Sequence, residues 1–181
     1  MKTVLPEVNL GKIKLREIEE SDYIDLYECG KSELMCKTLN WGPFSRLFEA
    51  KFVMTEIYLK RPDEGIPKGY AIIINNKMVG LIEYHNYNLN DNSCEIGYFL
   101  NVDYWNKGIM TKSLLKAIDI GFNYLDLNKI IIGSDTENEK SINLIKRVGL
   151  KYENSFVNNY KDKNHLCVYY SIYKYEFKGA N

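Results

Sequence analysis

The sequence predicts a mixed α/β (α+β) fold: a mostly antiparallel, twisted sheet of about seven strands flanked by about four helices. Three observations carry that expectation. Hydrophobic residues make up 45% and charged residues 27% of the 181 positions, ordinary values for a globular chain long enough to bury a sizeable core. Short β-branched and alternating runs dominate between residues 70 and 100 and again beyond 151. Between those blocks the apolar spacing turns helical, so a helix crosses from one strand to a parallel neighbour.

The elements follow in order. Leu10 to Arg16 alternates apolar and polar residues and predicts the first strand. Glu20-Ser21-Asp22 offers capping oxygens to a short helix starting at Tyr23. Asn40-Trp41-Gly42-Pro43-Phe44 breaks regular structure, and Leu47, Phe48, Met54, Ile57 and Tyr58 then fall at helical intervals within 44–59. Tyr70 to Ile74, Lys77 to Tyr87 and Ser93 to Leu100 read as three antiparallel strands joined at Asn75-Asn76 and at Asn88 to Asn92. In the third, Cys94, Ile96, Tyr98 and Leu100 share one face, and Glu95, Gly97 and Phe99 the other.

A helix follows over about 107–124, then a buried strand from Lys129 to Gly133. The next helix opens with the capping box Thr136-Glu137-Asn138-Glu139 and ends at Gly149. Strands over about 151–158 and 166–177, around a polar loop from Asn159 to Asn164, close a single domain spanning residues 1–181.

Lys plus Arg and Asp plus Glu both number 24, so no general attraction to nucleic acid or to an anionic membrane is implied. Met1-Lys2-Thr3-Val4-Leu5-Pro6 lacks the features of a signal peptide, and no apolar run is long enough to span a bilayer. The expected location is cytoplasmic. Cys29, Cys36, Cys94 and Cys167 are scattered and read as reduced thiols. His85 and His165 are the only histidines, which excludes a His-rich metal site, and no metal is expected. Phosphate-loop, dinucleotide-binding, nucleophile-elbow and zinc-protease motifs are all missing.

The chemistry-bearing stretch is Trp105-Asn106-Lys107-Gly108-Ile109-Met110-Thr111. A glycine-bearing turn between a strand and a helix aims backbone N–H groups at an anion, and the helix dipole adds positive charge there. Asn138 and Ser141 open the next strand-to-helix turn, which parallel strands place at the same end of the sheet. Together with Glu95-Ile96-Gly97-Tyr98-Phe99-Leu100 and Lys146-Arg147-Val148-Gly149-Leu150, these stretches resemble the two cofactor motifs of the GNAT superfamily of N-acetyltransferases. Trp105 and Ser141 point to its RimJ/RimL branch, and the resemblance covers essentially the whole chain.

The resemblance implies acetyl-CoA as acyl donor and a sheet splayed between the strands at 93–100 and 129–133. The pantetheine arm would pair with the strand end from Leu100 to Val102, a small-molecule form of strand addition. The pyrophosphate would sit on the amides from Asn106 to Thr111, with Lys107 as added charge. Asn138 would bond the pantetheine, and Ser141 would lie near the sulfur. Ile145 stands where many members carry a Tyr that serves as general acid to the leaving thiolate, and Met110 stands where a small residue is usual.

The amine must be neutral to attack. At pH 7 that costs roughly 1.4 kcal/mol for a protein α-amine and about 4.6 kcal/mol for a lysine. Glu95 is the first candidate base and Glu83 the second, with Trp41 and Phe44 as candidate acceptor-binding residues. The branch implies protein N-terminal acetylation and often a homodimer. The alternatives are acetylation of a polyamine or an amine-bearing antibiotic, and acetyl-CoA binding without turnover.

Overall fold

The computed structural model describes residues 4–179, so the reading of Met1-Lys2-Thr3 lies outside the described residues. Eight strands form one sheet: β1 (Val8–Leu10), β2 (Ile13–Glu17), β3 (Tyr70–Ile74), β4 (Lys77–Asn88), β5 (Ser93–Leu100), β6 (Lys129–Asp135), β7 (Lys151–Tyr160) and β8 (Lys163–Tyr173). The helices are α1 (Tyr23–Gly30), α2 (Glu33–Cys36), α3 (Leu47–Val53), α4 (Ile109–Asn123) and α5 (Glu139–Arg147). Strand order is β1-β2-β3-β4-β5-β6-β8-β7, and β5–β6 is the parallel pair.

Several boundaries differ from the sequence reading, each for a local reason. The first strand is a hairpin, because Gly11 takes φ 73° and turns the chain between Leu10 and Ile13. The second long helix starts later than Phe44; of its expected face Met54 and Tyr58 are buried, together with Ala50, while Leu47, Phe48 and Ile57 are exposed. A π-helical turn from Met54 to Tyr58 continues α3. The polar loop expected over 159–164 is mostly paired strand; Lys161 and Asp162, with φ 51° and 59°, make a two-residue turn. β6 runs on to Asp135, and the cap of α5 is Asn138, whose side chain accepts from the Ser141 N–H, rather than Thr136.

Alternation along β5 divides the interior into two cores. Cys94, Ile96 and Leu100 pack on the α4 side with Leu114, Ile118 and Ile145. Phe99 packs on the opposite side with Leu26, Met54 and Leu81, under α1 to α3. Met110 is buried in the first core, which answers how a large residue fits at that turn. All four cysteines are free and buried.

What positions the site is the short reach of the parallel pair. β5 and β6 pair only from Ser93–Lys129 to Glu95–Ile131. Beyond that, β6 follows β8 as far as Asp135–Cys167, while β5 stays with β4 as far as Leu100–Gly80. A wedge opens between them, as the resemblance implied. The far wall is anchored at Asp135, which accepts from Tyr160 Oη at 2.5 Å, His165 Nδ1 at 2.7 Å and the Glu137 amide at 2.8 Å.

Candidate active site

Backbone geometry fixes the first half of the site. The Asn101 N–H donates to Val79 O at 2.8 Å, continuing the β4–β5 register. Antiparallel alternation then turns the N–H and C=O groups of Tyr98 and Leu100 away from β4 and into the wedge. Trp105 Nε1 donates to Leu100 O at 2.7 Å, so the Leu100 N–H and both backbone groups of Tyr98 remain for a ligand. The indole is thus the brace that joins the end of the strand to the following turn.

That turn has a geometry that can accommodate an anion. Asn106 and Gly108 have φ 60° and 71°, and Gly108 is the N-cap of the fifteen-residue α4, whose first turn has no side-chain cap hydrogen bond. Lys140 sits over the Trp105 ring at 4.0 Å, whereas Lys107 folds back to Asp103 O at 2.7 Å. A cavity of about 580 Å³ runs along these elements, bounded by Leu100, Trp105 to Thr111, Asn138, Ser141 and Arg147. Asn138 Oδ1 accepts from the Ser141 N–H at 3.1 Å and its Nδ2 donates to Thr38 Oγ1 at 2.7 Å, tying α5 to the segment after α2. Ser141 Oγ lies 2.9 Å from Tyr98 Oη. Burial pushes the Tyr98 phenol up to about 12, with the Ser141 hydrogen bond pulling the other way.

A second cavity, of about 350 Å³, lies against the other face of β4 and β5. It is bounded by Trp41, Tyr58, Arg61, Glu83, His85 and Gly97, and it shares Leu39, Tyr98 and Phe99 with the first. The two cavities therefore meet at the middle of β5. Glu83 is opposite Gly97 in the register, and Arg61 Nη2 and Nε donate to Glu83 Oε2 at 2.9 and 3.2 Å. A Cβ at Gly97 would lie 3.2 Å from His85 Nε2 and 3.3 Å from Glu83 Oε1. Imidazole and carboxylate converge on the one position in β5 that carries no side chain.

The sequence-derived residues divide accordingly. Leu100, Trp105, Asn106, Lys107, Gly108, Ile109, Met110, Thr111, Asn138 and Ser141 all border the larger cavity. Val102 does not; it lies past the strand end in a 3₁₀ turn and packs on the second core. Glu83 and Trp41 border the smaller cavity. Phe44 is buried behind Trp41, stacked at 5.1 Å, and forms its backing rather than the cavity wall. Glu95 borders neither cavity and accepts from Asn86 Nδ2 at 3.1 Å. Ile145 is fully buried in the core. His85, Arg61, Tyr58 and Tyr98 were missed. A glycine in mid-strand was the available signal, since it marks a close approach, and β4–β5 pairing would have led from Gly97 to Glu83 and His85.

The family model described as an acetyltransferase (GNAT) domain matches residues 12–151. The spermidine N(1)-acetyltransferase of Escherichia coli (strain K12) is 24% identical over 172 residues, covering 92% of this chain and 90% of that one. A RimL ribosomal L7/L12 alpha-N-protein acetyltransferase in complex with coenzyme A superposes with TM-score 0.80 at 20% identity, covering 93% of this chain and 98% of that one. The spermidine N-acetyltransferase from Vibrio cholerae in complex with CoA and spermine gives TM-score 0.77 at 20% identity, covering 91% and 97%. At such identities the solved structures establish a shared fold. The family match extends further, over the strand-to-helix turn at Gly108 and the Asn138–Ser141 turn, and the chain belongs to the GNAT family as an acetyl-CoA-dependent N-acetyltransferase.

Proposed function

We propose that the acceptor is the α-amine of a protein N-terminus, and that the second cavity receives it. One observation carries this reading. Glu83 is the one carboxylate among the described residues bordering that cavity, and Arg61 already neutralises it. A polyamine carries several ammonium groups, each of which needs a counter-charge when it leaves water. This cavity has no free carboxylate to supply one. An α-amine brings a single charge and loses it at a cost of about 1.4 kcal/mol at pH 7, against about 4.6 kcal/mol for a lysine amine.

The division of labour follows from the geometry. The Asn106–Thr111 turn would hold the pyrophosphate, with Lys140 and Arg147 as nearby cations. The Leu100 N–H and the Tyr98 backbone would hold the pantetheine arm, and Ser141 would face the sulfur. Bound there, acetyl-CoA supplies an activated acetyl carbon beside Tyr98 and Phe99, where the two cavities meet next to Gly97. His85 Nε2 takes the amine proton as nitrogen attacks, because it is the nitrogen base that the β4–β5 register aims at Gly97. Glu83, held by two hydrogen bonds from Arg61, orients the wall beside His85. Glu95, bordering neither cavity, takes no part.

Three acceptors with acetyl-CoA separate the readings by intact mass: a lysine-free peptide with a free N-terminus, an N-blocked peptide containing one lysine, and spermidine. Acetylation of the first alone is expected. Modification confined to spermidine or to the lysine peptide would overturn the assignment and favour the activity in the names of the spermidine-acetylating relatives.

A further inference from the structure

Ile145 leaves the wall of the donor cavity without the hydroxyl that the superfamily resemblance places at that position, and its side chain is fully buried in the core. A different pair of hydroxyls occupies the region. Tyr98 reaches from the middle of β5 across the wedge, and Ser141 projects from the first turn of α5; their oxygens are 2.9 Å apart. Both residues border the donor cavity. The Asn138 side chain caps the Ser141 N–H and is itself held by Thr38, which fixes the backbone from which Ser141 projects.

Two hydroxyls joined by one hydrogen bond have two hydrogens and spend only one. If Tyr98 donates, the Ser141 hydrogen is left to face the cavity. If Ser141 donates, the phenol hydrogen is left. Either way the pair presents one unspent O–H, and donation from the more acidic phenol polarises the serine hydroxyl further. We propose that Tyr98 is a positioning residue that acts through Ser141, orienting the serine hydroxyl hydrogen toward the departing sulfur of acetyl-CoA. The inference rests on the donor-side reading given above and is independent of which amine is acetylated.

The role is hydrogen bonding rather than full protonation. In the transfer, the N–C bond forms, the C–S bond breaks, and the sulfur leaves with the electron pair. The amine proton passes to His85 and on to solvent. A simple thiol has pKa about 8.5, while burial pushes the Tyr98 phenol up to about 12, so the phenol keeps its proton. The sulfur therefore departs as a hydrogen-bonded thiolate and takes its proton from water after release.

The test is a double-mutant cycle in single-turnover measurements of thiol release, using whichever amine the wild-type protein acetylates. Ser141→Ala is expected to slow the transfer about tenfold or more. Tyr98→Phe is expected to slow it about fivefold, with the dissociation constant for CoA within twofold and the melting temperature unchanged. The double variant is expected to be no slower than Ser141→Ala alone. An unchanged rate in Tyr98→Phe would overturn the proposal. So would an equal fivefold loss on the Ser141→Ala background, or a loss confined to CoA affinity. Failure of the donor reading would look different: CoA binding would be indifferent to substitutions around Gly108.

Discussion

The donor cavity and the acceptor cavity meet at Leu39, Tyr98 and Phe99 but are made in different ways. The donor side is mostly backbone. A wedge between β5 and β6, a turn with two residues at positive φ and the N-terminus of α4 offer N–H groups whose directions follow from chain path. The acceptor side is mostly side chain. Trp41, Tyr58, Arg61, Glu83 and His85 come from separate segments and meet over a glycine. On the proposed reading backbone donors serve acetyl-CoA, while side chains on strand faces can be exchanged without disturbing the sheet. One chain can therefore keep its acyl donor and change its acceptor.

If that division holds, lesions on the two sides should have different kinetic signatures. The largest effect is expected for His85→Gln, which removes the proton acceptor while keeping a polar side chain. The kcat/KM for the acceptor should fall about 100-fold, with CoA affinity by calorimetry unchanged. A proportional loss of CoA affinity would erase the distinction between the cavities.

A smaller, differently distributed effect is expected for Gly108→Val. Nothing lies within 4 Å of a Cβ there, so the penalty is conformational and comes from φ 71°. A cost of about 1–2 kcal/mol for a branched residue in the left-handed region should raise the KM for acetyl-CoA about tenfold, by the same factor for every acceptor. An acceptor-dependent change would show the turn to be part of the acceptor site.

The smallest effect concerns pH and the anchor behind the donor wall. Burial alone would raise the Asp135 carboxyl, but hydrogen bonds from Tyr160, the Glu137 amide and His165 outweigh it and hold the group below its ordinary 3.8. A depressed folded value means that the stabilisation is complete above the ordinary value and is lost as pH falls through the lower one. Melting temperature should therefore drop more steeply below about pH 4 in the wild type than in Asp135→Asn. Parallel slopes would show that Asp135 does not link acid to the stability of this wall.

Legibility in the sequence followed the same division. The β5 alternation, the turn at Gly108 and the Asn138–Ser141 turn are contiguous, so residue order alone carried the donor side, the helix crossover and most of the sheet. The hairpin at Gly11, the π-helical turn at Met54 to Tyr58 and the continuation of β6 to Asp135 were not legible, because each departs from regular spacing over only a few residues. The convergence of His85 and Glu83 on Gly97 depends on the β4–β5 register. A one-residue slip would have turned both side chains to the other face. Arg61 reaches Glu83 across 22 residues and a change of helix type, which no spacing rule anticipates. Tyr98 was assigned to the correct face of its strand, but its partner on α5 lies 43 residues away.

The most direct measurement uses two conjugates in which coenzyme A sulfur is joined through a –CH₂–CO– link, either to the α-nitrogen of a short peptide or to spermidine. If the two cavities form one continuous site for an N-terminal amine, the peptide conjugate should bind about 100-fold or more tightly than coenzyme A alone, because the second half binds at high effective concentration. The spermidine conjugate should gain less than about threefold. Equal affinity of the peptide conjugate and coenzyme A would contradict the continuity of the site, and a tighter spermidine conjugate would contradict the acceptor.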